Sequence, residues 1–77
     1  MPFIRDILNE IKFTKDLSKI KIYYIHRGAI DNTKLIIGTQ INQIKRSYIE
    51  TDTSTIPYHR IFKITYDGKT IFDRKNL

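Results

Sequence analysis

The sequence predicts an α+β domain in which an N-terminal helix packs on a strongly bent or barrel-like antiparallel sheet of about five short strands. Three observations support this prediction. Apolar residues recur at helical spacing near the start, short runs of β-branched and aromatic residues follow, and turn residues separate those runs. A chain of 77 residues is expected to form a single domain over residues 1–77. Because short strands leave open edges, the sheet is expected to curl or close.

Residues 3–12 are predicted to form the helix. Their apolar side chains make one stripe, formed by Phe3, Ile4, Ile7, Leu8 and Ile11. Pro2 suits a first-turn position because its missing N–H would have no partner there. Asp6 near the start and Lys12 near the end both suit the helix dipole. The stripe therefore predicts a helix that packs on a sheet, and residues 13–19 are predicted to turn, with a short helical piece at residues 16–18.

The rest of the chain is predicted to form strands. Along residues 20–27, one face is formed by Ile20, Ile22, Tyr24 and His26. Further strands are predicted at residues 35–37, 43–51, 56–66 and 69–73, with a polar turn at residues 51–55. Asp67-Gly68 is a strong hairpin signal because it supplies the positive φ angles of a type I′ turn. Residues 74–77 are expected to fray.

Composition favours a nucleic-acid partner. The net charge is +6, the pI is about 9.7, and basic residues concentrate between Lys12 and Arg27 and at Lys45-Arg46. The competing interpretation is that lysines keep an isoleucine-rich protein soluble. No cysteine is present, so no disulfide framework or thiolate metal site is expected, and a cytoplasmic location fits. The sequence offers no signal peptide, membrane span, metal site or cofactor motif, so we expect none of these.

Two similar segments contain the candidate binding residues. Each has a tyrosine followed by a His-Arg pair, in Tyr24-Ile25-His26-Arg27-Gly28 and in Tyr58-His59-Arg60. Arginine matches phosphate oxygens bidentately, histidine can donate to a phosphate, tyrosine can stack on a base, and glycine admits a ligand close to the backbone. The predicted nucleic-acid-binding residues are Tyr24, His26, Arg27, Gly28, Tyr58, His59 and Arg60. If strands 20–27 and 56–66 pair, both segments line one groove.

Each of these residues also has a structural interpretation. His26 continues the phase of the core residues before it, and the tyrosines can simply straddle core and solvent. Arg27 and Arg60 can be ordinary ion-pair partners of the acidic residues Asp31, Glu50 and Asp52. Arg60 falls in the apolar phase of its strand, where an unpaired arginine does not belong. Its position predicts either a bulge near His59 or a partner for Arg60 at the rim.

The two segments, about thirty residues apart along the chain, resemble the signature segments of a small, mainly archaeal family. That family is named as a predicted RNA cyclic-group-end recognition domain, and the resemblance spans nearly the whole chain. It implies binding of RNA 3′ ends that bear a 2′,3′-cyclic phosphate. By position, it implies a site formed by His26, Arg27, Gly28, Tyr58, His59 and Arg60. The polar turn at residues 51–55 departs from the Gly-containing turn expected there.

Three functions remain open from the sequence. The first is a binding module for RNA, with no catalytic residue and RNA-processing proteins as further partners. The second is an enzyme in which His26 and His59 act as acid and base to open a cyclic phosphate with water. The third is a protein-interaction domain. The small size of the chain favours the binding module over the enzyme, and the sequence does not fix the oligomeric state.

Overall fold

The computed structural model describes residues 4–14, 16–26, 28 and 32–74. These residues form one α-helix and seven strands. The elements are α1 (Ile4–Thr14), β1 (Ile20–Ile25), β2 (Thr33–Ile37), β3 (Ile41–Ile44), β4 (Tyr48–Thr51), β5 (Thr55–Pro57), β6 (Ile61–Tyr66) and β7 (Lys69–Asp73). Short 3-10 turns at Leu17–Lys19, Gly38–Gln40 and Tyr58–Arg60 lead into β1, β3 and β6.

The strands form two antiparallel sheets. The four-stranded sheet has the order β2-β1-β6-β7, and the three-stranded sheet has the order β3-β4-β5. The α+β class with an N-terminal helix is therefore confirmed. The expectation of about five strands in one bent or barrel-like sheet is wrong. Over the described ranges there are seven strands in two sheets and no closed barrel.

Two predicted strands are each divided in the structure. Residues 43–51 contain a hairpin, because the chain reverses at Lys45 and the Lys45 amide donates to the Tyr48 carbonyl at 2.9 Å. Residues 56–66 contain β5, the Tyr58–Arg60 turn and β6, which belong to different sheets. The turn carries the chain from one sheet to the other, so Arg60 does not occupy a strand position in the core.

The other elements lie close to their predicted bounds. The helix extends over Ile4–Thr14 instead of residues 3–12, and its predicted first residues lie outside the described residues. The predicted helical piece at residues 16–18 is a 3-10 turn one residue later, and the Asp16 carboxylate caps it by accepting from the Ser18 amide at 2.9 Å. The hairpin at Asp67-Gly68 is confirmed, with φ angles of 51° and 83°.

One apolar core joins the helix to both sheets. Its fully buried side chains are Leu8 of α1, Ile20 and Ile22 of β1, Ile61 and Ile64 of β6, Ile49 of β4 and Ile56 of β5. The inner face of the four-stranded sheet therefore packs against the helix and the smaller sheet, and its other face points away from the core. Within the described ranges, no helix has the length and hydrophobicity needed to span a membrane.

Candidate nucleic-acid interface

The pairing of β1 with β6 brings His26 to the same end of the four-stranded sheet as His59 and Arg60. The strands are antiparallel and Tyr24 pairs with Ile61. His26 lies two residues beyond Tyr24, and His59 lies two residues before Ile61. The chain therefore leaves β1 and enters β6 at the same end of the sheet. We call this region the motif end, defined by His26, Gly28 and residues 58–60.

Tyr24 and His26 lie on the inner face of β1. Tyr24 is 7% exposed and belongs to the core, whereas His26 is half-buried. Their rings make an edge-to-face contact with centroids 6.3 Å apart, a preferred geometry for π-systems. The buried tyrosine thus orients the imidazole at the rim of the core.

The loop after β1 is closed at its base by a backbone hydrogen bond. The His26 amide donates to the Asn32 carbonyl at 2.8 Å, one pair beyond the β1–β2 ladder. Gly28 is exposed with φ of +93°, and a Cβ built there would meet no atom within 4 Å. A ligand can therefore approach the backbone at Gly28 closely. The prediction for Arg27 falls outside the described residues.

The second segment forms the 3-10 turn Tyr58–Arg60. Tyr58 anchors it to the β3–β4 hairpin, because its hydroxyl donates to the Lys45 carbonyl and its amide donates to the Ser47 carbonyl at 3.1 Å. Burial raises the pKa of the Tyr58 phenol above its usual value of 10.0, and the nearby Arg5 charge opposes that shift. Tyr58 therefore holds the turn against the smaller sheet.

Arg74 fixes the same turn from the other side. Its guanidinium donates to the His59 carbonyl at 2.9 Å and to the Tyr58 carbonyl at 3.4 Å. It also lies 5.9 Å from the centroid of the Phe72 ring, within cation–π range. The carbonyls are neutral, so Arg74 contributes its full positive charge to the motif end.

The side chains of His59 and Arg60 point into solvent. Both residues are exposed, and no carboxylate among the described residues lies within ion-pair distance of either side chain. The predicted pairing of Arg60 with Glu50 or Asp52 is therefore not seen, and Asp31 lies outside the described residues. A bulge does occur, between Ile61 and Lys63, where β1 shifts register against β6. It follows Arg60 by two residues.

Sequence reasoning missed two contributors to this end of the molecule. Arg74 was expected to fray, and nothing in its local sequence indicates that it reaches the Tyr58–Arg60 turn. Lys45 and Arg46 form a basic pair in the sequence, but only the Tyr58 hydrogen bonds to the β3–β4 hairpin show that this pair lies beside the second segment. Both are exposed. The motif end is therefore more basic than the two segments alone indicate.

Comparison with known proteins agrees with the resemblance seen in the sequence. The model of the MJ1316 RNA cyclic group end recognition domain matches residues 1–74. A UPF0248 protein of Methanopyrus kandleri is 32% identical over 59 residues, covering 77% of this chain and 80% of the relative. A UPF0248 protein of Thermococcus sibiricus is 31% identical over 78 residues, covering 97% and 88%. One from Pyrococcus abyssi is 29% identical over 77 residues, covering 96% and 92%.

No solved structure matches the chain. The family match covers nearly all of the chain, including both His-Arg segments and Arg74. The chain belongs to the MJ1316 RNA cyclic group end recognition domain family.

Proposed function

We propose that this domain binds the 3′ end of an RNA at the motif end and recognises its terminal phosphate, including a 2′,3′-cyclic phosphate. The observation that supports this proposal is the β1–β6 register, which brings His26 to the same end of the sheet as His59 and Arg60. The family name points to the same class of ligand. RNA-processing proteins are then the natural partners, and the cytoplasm is the natural location.

Each residue has a separate role in this proposal. Arg60, which has no carboxylate partner among the described residues, offers a planar fork of donors to two phosphate oxygens. His26 and His59 each supply an imidazole N–H, and Gly28 leaves room for the ligand at the backbone. Arg27 belongs to the same loop by sequence. Tyr24 and Tyr58 act by positioning, since one orients His26 and the other anchors the turn.

The different charges of the cyclic and open phosphates make it possible to distinguish recognition of the shape of the end group from attraction to its negative charge. A cyclic phosphate is a monoanion with two free oxygens, whereas an open terminal phosphate carries about −1.5 to −2 at pH 7. A site that acts only through its positive charge therefore binds the open phosphate more tightly. Preference for the cyclic end therefore requires recognition of the shape of the ring, and in this proposal the Arg60 fork and the two imidazoles supply the donors to its two free oxygens.

The test is a binding titration of one short RNA with three 3′ ends: cyclic phosphate, open phosphate and hydroxyl. We expect the cyclic end to bind most tightly. Arg60→Gln should lower the affinity for both phosphate ends by about 10- to 100-fold, the effect of losing a charge-assisted bidentate contact. Lys69→Gln is the matched control, because it removes the same charge at the opposite end of the sheet.

Two results contradict the proposal. If all three ends bind equally, the domain is a general basic RNA binder. If Arg60→Gln and Lys69→Gln weaken binding by the same amount, the effect comes from net charge and not from the motif end.

Because His26 and His59 both lie at the motif end, hydrolysis of the cyclic phosphate is a second candidate function. In that reaction water adds to phosphorus, one P–O bond to the ribose breaks, and the products are a terminal phosphate monoester and a free ribose hydroxyl. One imidazole takes the proton of water and the other donates a proton to the departing oxygen. Incubation of cyclic-phosphate RNA with the protein, followed by separation of the two ends, decides between binding and turnover.

A further inference from the structure

The outer face of the four-stranded sheet, which points away from the core, is unusually apolar. Three aliphatic side chains of this face lie on β1 and β2 and are 42–48% exposed: Ile25, Leu35 and Ile37. Tyr23 of the same face is half-buried, pairs directly with Leu35 and precedes Ile25 by two residues. A contiguous exposed apolar surface of this kind commonly marks an interaction site.

Two aromatic rings lie at the centre of this face. The rings of Tyr23 and Phe62 have centroids 6.4 Å apart and are tilted by 48°. Phe62 is the extra residue at the β6 bulge, so both Phe62 and Lys63 lie on this face between the inward-facing Ile61 and Ile64. The ammonium of Lys63 lies 5.4 Å from the centroid of the Tyr23 ring. Aromatic faces beside a lysine suit bases and phosphates together.

The charges of the two sheets differ in sign. The strands of the four-stranded sheet contain four lysines and one acidic residue, a net charge of +3. These residues are Lys21, Lys34, Lys63, Lys69 and Asp73. The strands of the smaller sheet contain no basic residue and one acidic residue, Glu50. By strand alternation, Lys21, Lys63 and Asp73 lie on the outer face, a net charge of +1, whereas Lys34 and Lys69 pair with the inward-facing Tyr24 and Tyr66. The two lysines of the apolar face favour the phosphates of a nucleotide chain as its occupant.

The face is continuous with the motif end. Tyr23 precedes His26 by three residues on the same stretch of chain, about 10 Å at the rise of a strand. Phe62 follows Arg60 by two residues. Because His26 follows the inner face and the two rings lie on the outer face, a chain of nucleotides that leaves a terminal phosphate at the motif end reaches the rings by passing around the end of the sheet.

We infer that the outer face of the four-stranded sheet is a stacking platform for the unpaired nucleotides that precede the bound RNA end. Tyr23 and Phe62 stack on bases, and Lys21 and Lys63 contact the connecting phosphates. This inference rests on the proposed function and adds a second element to it: the motif end recognises the end group, and the platform holds the single strand that leads to it.

The experiment varies the length of the RNA at a constant 3′ end. RNAs of one and six nucleotides, each with a cyclic phosphate, are titrated into the wild type, Tyr23→Leu and Phe62→Leu. Leucine keeps apolar bulk on the face and removes the ring. We expect the longer RNA to bind the wild type at least tenfold more tightly, and each variant to lose about 5- to 100-fold of its affinity for the longer RNA.

The controls separate the platform from the end site. Binding of the single nucleotide should change little in either variant, and preference for the cyclic end should persist. Phe13→Leu is the matched control, because Phe13 is 80% exposed on α1 and lies outside the four-stranded sheet. Circular dichroism verifies that each variant is folded, and Phe62→Leu provides the test if Tyr23→Leu does not fold.

Several outcomes overturn the inference. If the wild type binds the one-nucleotide and six-nucleotide RNAs with equal affinity and still prefers the cyclic end, the stacking platform is wrong and the proposed function still holds. If the protein binds neither RNA, both the stacking platform and the proposed function are wrong. If sedimentation shows a dimer that Leu35→Lys converts to a monomer, the face is covered by a second copy of the chain and the platform is wrong.

Discussion

Arg74→Lys tests whether Arg74, which directly follows β7, fixes the Tyr58–Arg60 turn through its hydrogen bonds. The guanidinium spans two successive carbonyls, donating to His59 at 2.9 Å and to Tyr58 at 3.4 Å. A lysine keeps the positive charge, but its single ammonium does not have the planar fork that reaches both oxygens. The variant therefore changes the geometry of the turn while the net charge of the protein stays constant.

The magnitude follows from these contacts. The bond at 2.9 Å has good geometry and, being exposed, contributes about 0.5–1.5 kcal/mol to the free energy of unfolding. The bond at 3.4 Å lies beyond the usual range and contributes little. The contact with the Phe72 ring is retained in part by a lysine, which also forms cation–π contacts. The expected loss is therefore about 1 kcal/mol, or roughly 4–8 °C in Tm for a domain of this size.

The assay is thermal and urea unfolding of the wild type, Arg74→Lys and Arg74→Ala, followed by titration with cyclic-phosphate RNA. Arg74→Lys should lower Tm and weaken RNA binding, because the turn that presents His59 and Arg60 is less fixed. Arg74→Ala should weaken RNA binding further by removing a charge. If Arg74→Lys matches the wild type in both measurements, Arg74 does not position the turn.

Three further predictions concern stability. Gly38→Ala should destabilise the fold by about 1–3 kcal/mol in urea unfolding, because the new Cβ would lie 2.2 Å from the Leu17 carbonyl oxygen. A variant that unfolds at the wild-type midpoint would contradict the close packing of Gly38 against Leu17. Ile49→Ala should cost about 2–5 kcal/mol, since Ile49 is fully buried, whereas Ile37→Ala on the outer face should change stability by only about 0.5 kcal/mol. Because the pKa of the Tyr58 phenol is raised in the folded state, its contribution to the free energy of unfolding is present below pH 10.0, the pKa of the unfolded state, and is lost as pH rises through the folded-state pKa. Tyr58→Phe should flatten this alkaline decline in stability, and a pH profile identical to that of the wild type would refute the role of Tyr58.

The fold was predictable where a local pattern dominates. The helix has its apolar stripe, β1 has strict alternation, and Asp67-Gly68 supplies two positive φ angles, so all three appear near their predicted positions. The division into two sheets was not predictable in this way. The turn after Ile44 contains Lys45, Arg46 and Ser47 without a glycine or proline, and its amide–carbonyl bond to Tyr48 leaves no signature in the sequence.

The candidate site shows the same distinction. The repeated Tyr-x-His-Arg and Tyr-His-Arg segments are visible in the sequence, whereas the pairing of their two strands was only a condition there and is seen in the β1–β6 register. The roles of the tyrosines depend on tertiary contacts. Strand alternation placed Tyr24 on the inner face, but its burial and the anchoring of Tyr58 to the β3–β4 hairpin become evident only once the sheets are assembled. The predicted RNA-contacting set, including Arg27, stays a prediction.

The most direct test of RNA-end binding at the motif end is a map of amide chemical-shift changes on titration with a nucleoside 2′,3′-cyclic phosphate. This ligand carries the end group and no preceding nucleotides, so the outer face contributes little. We predict saturable shifts concentrated at His26, Gly28 and residues 58–60, with the amides of the Asp67-Gly68 hairpin unchanged. Shifts that concentrate at that hairpin or on the smaller sheet, or that never saturate, would contradict RNA-end binding at the motif end.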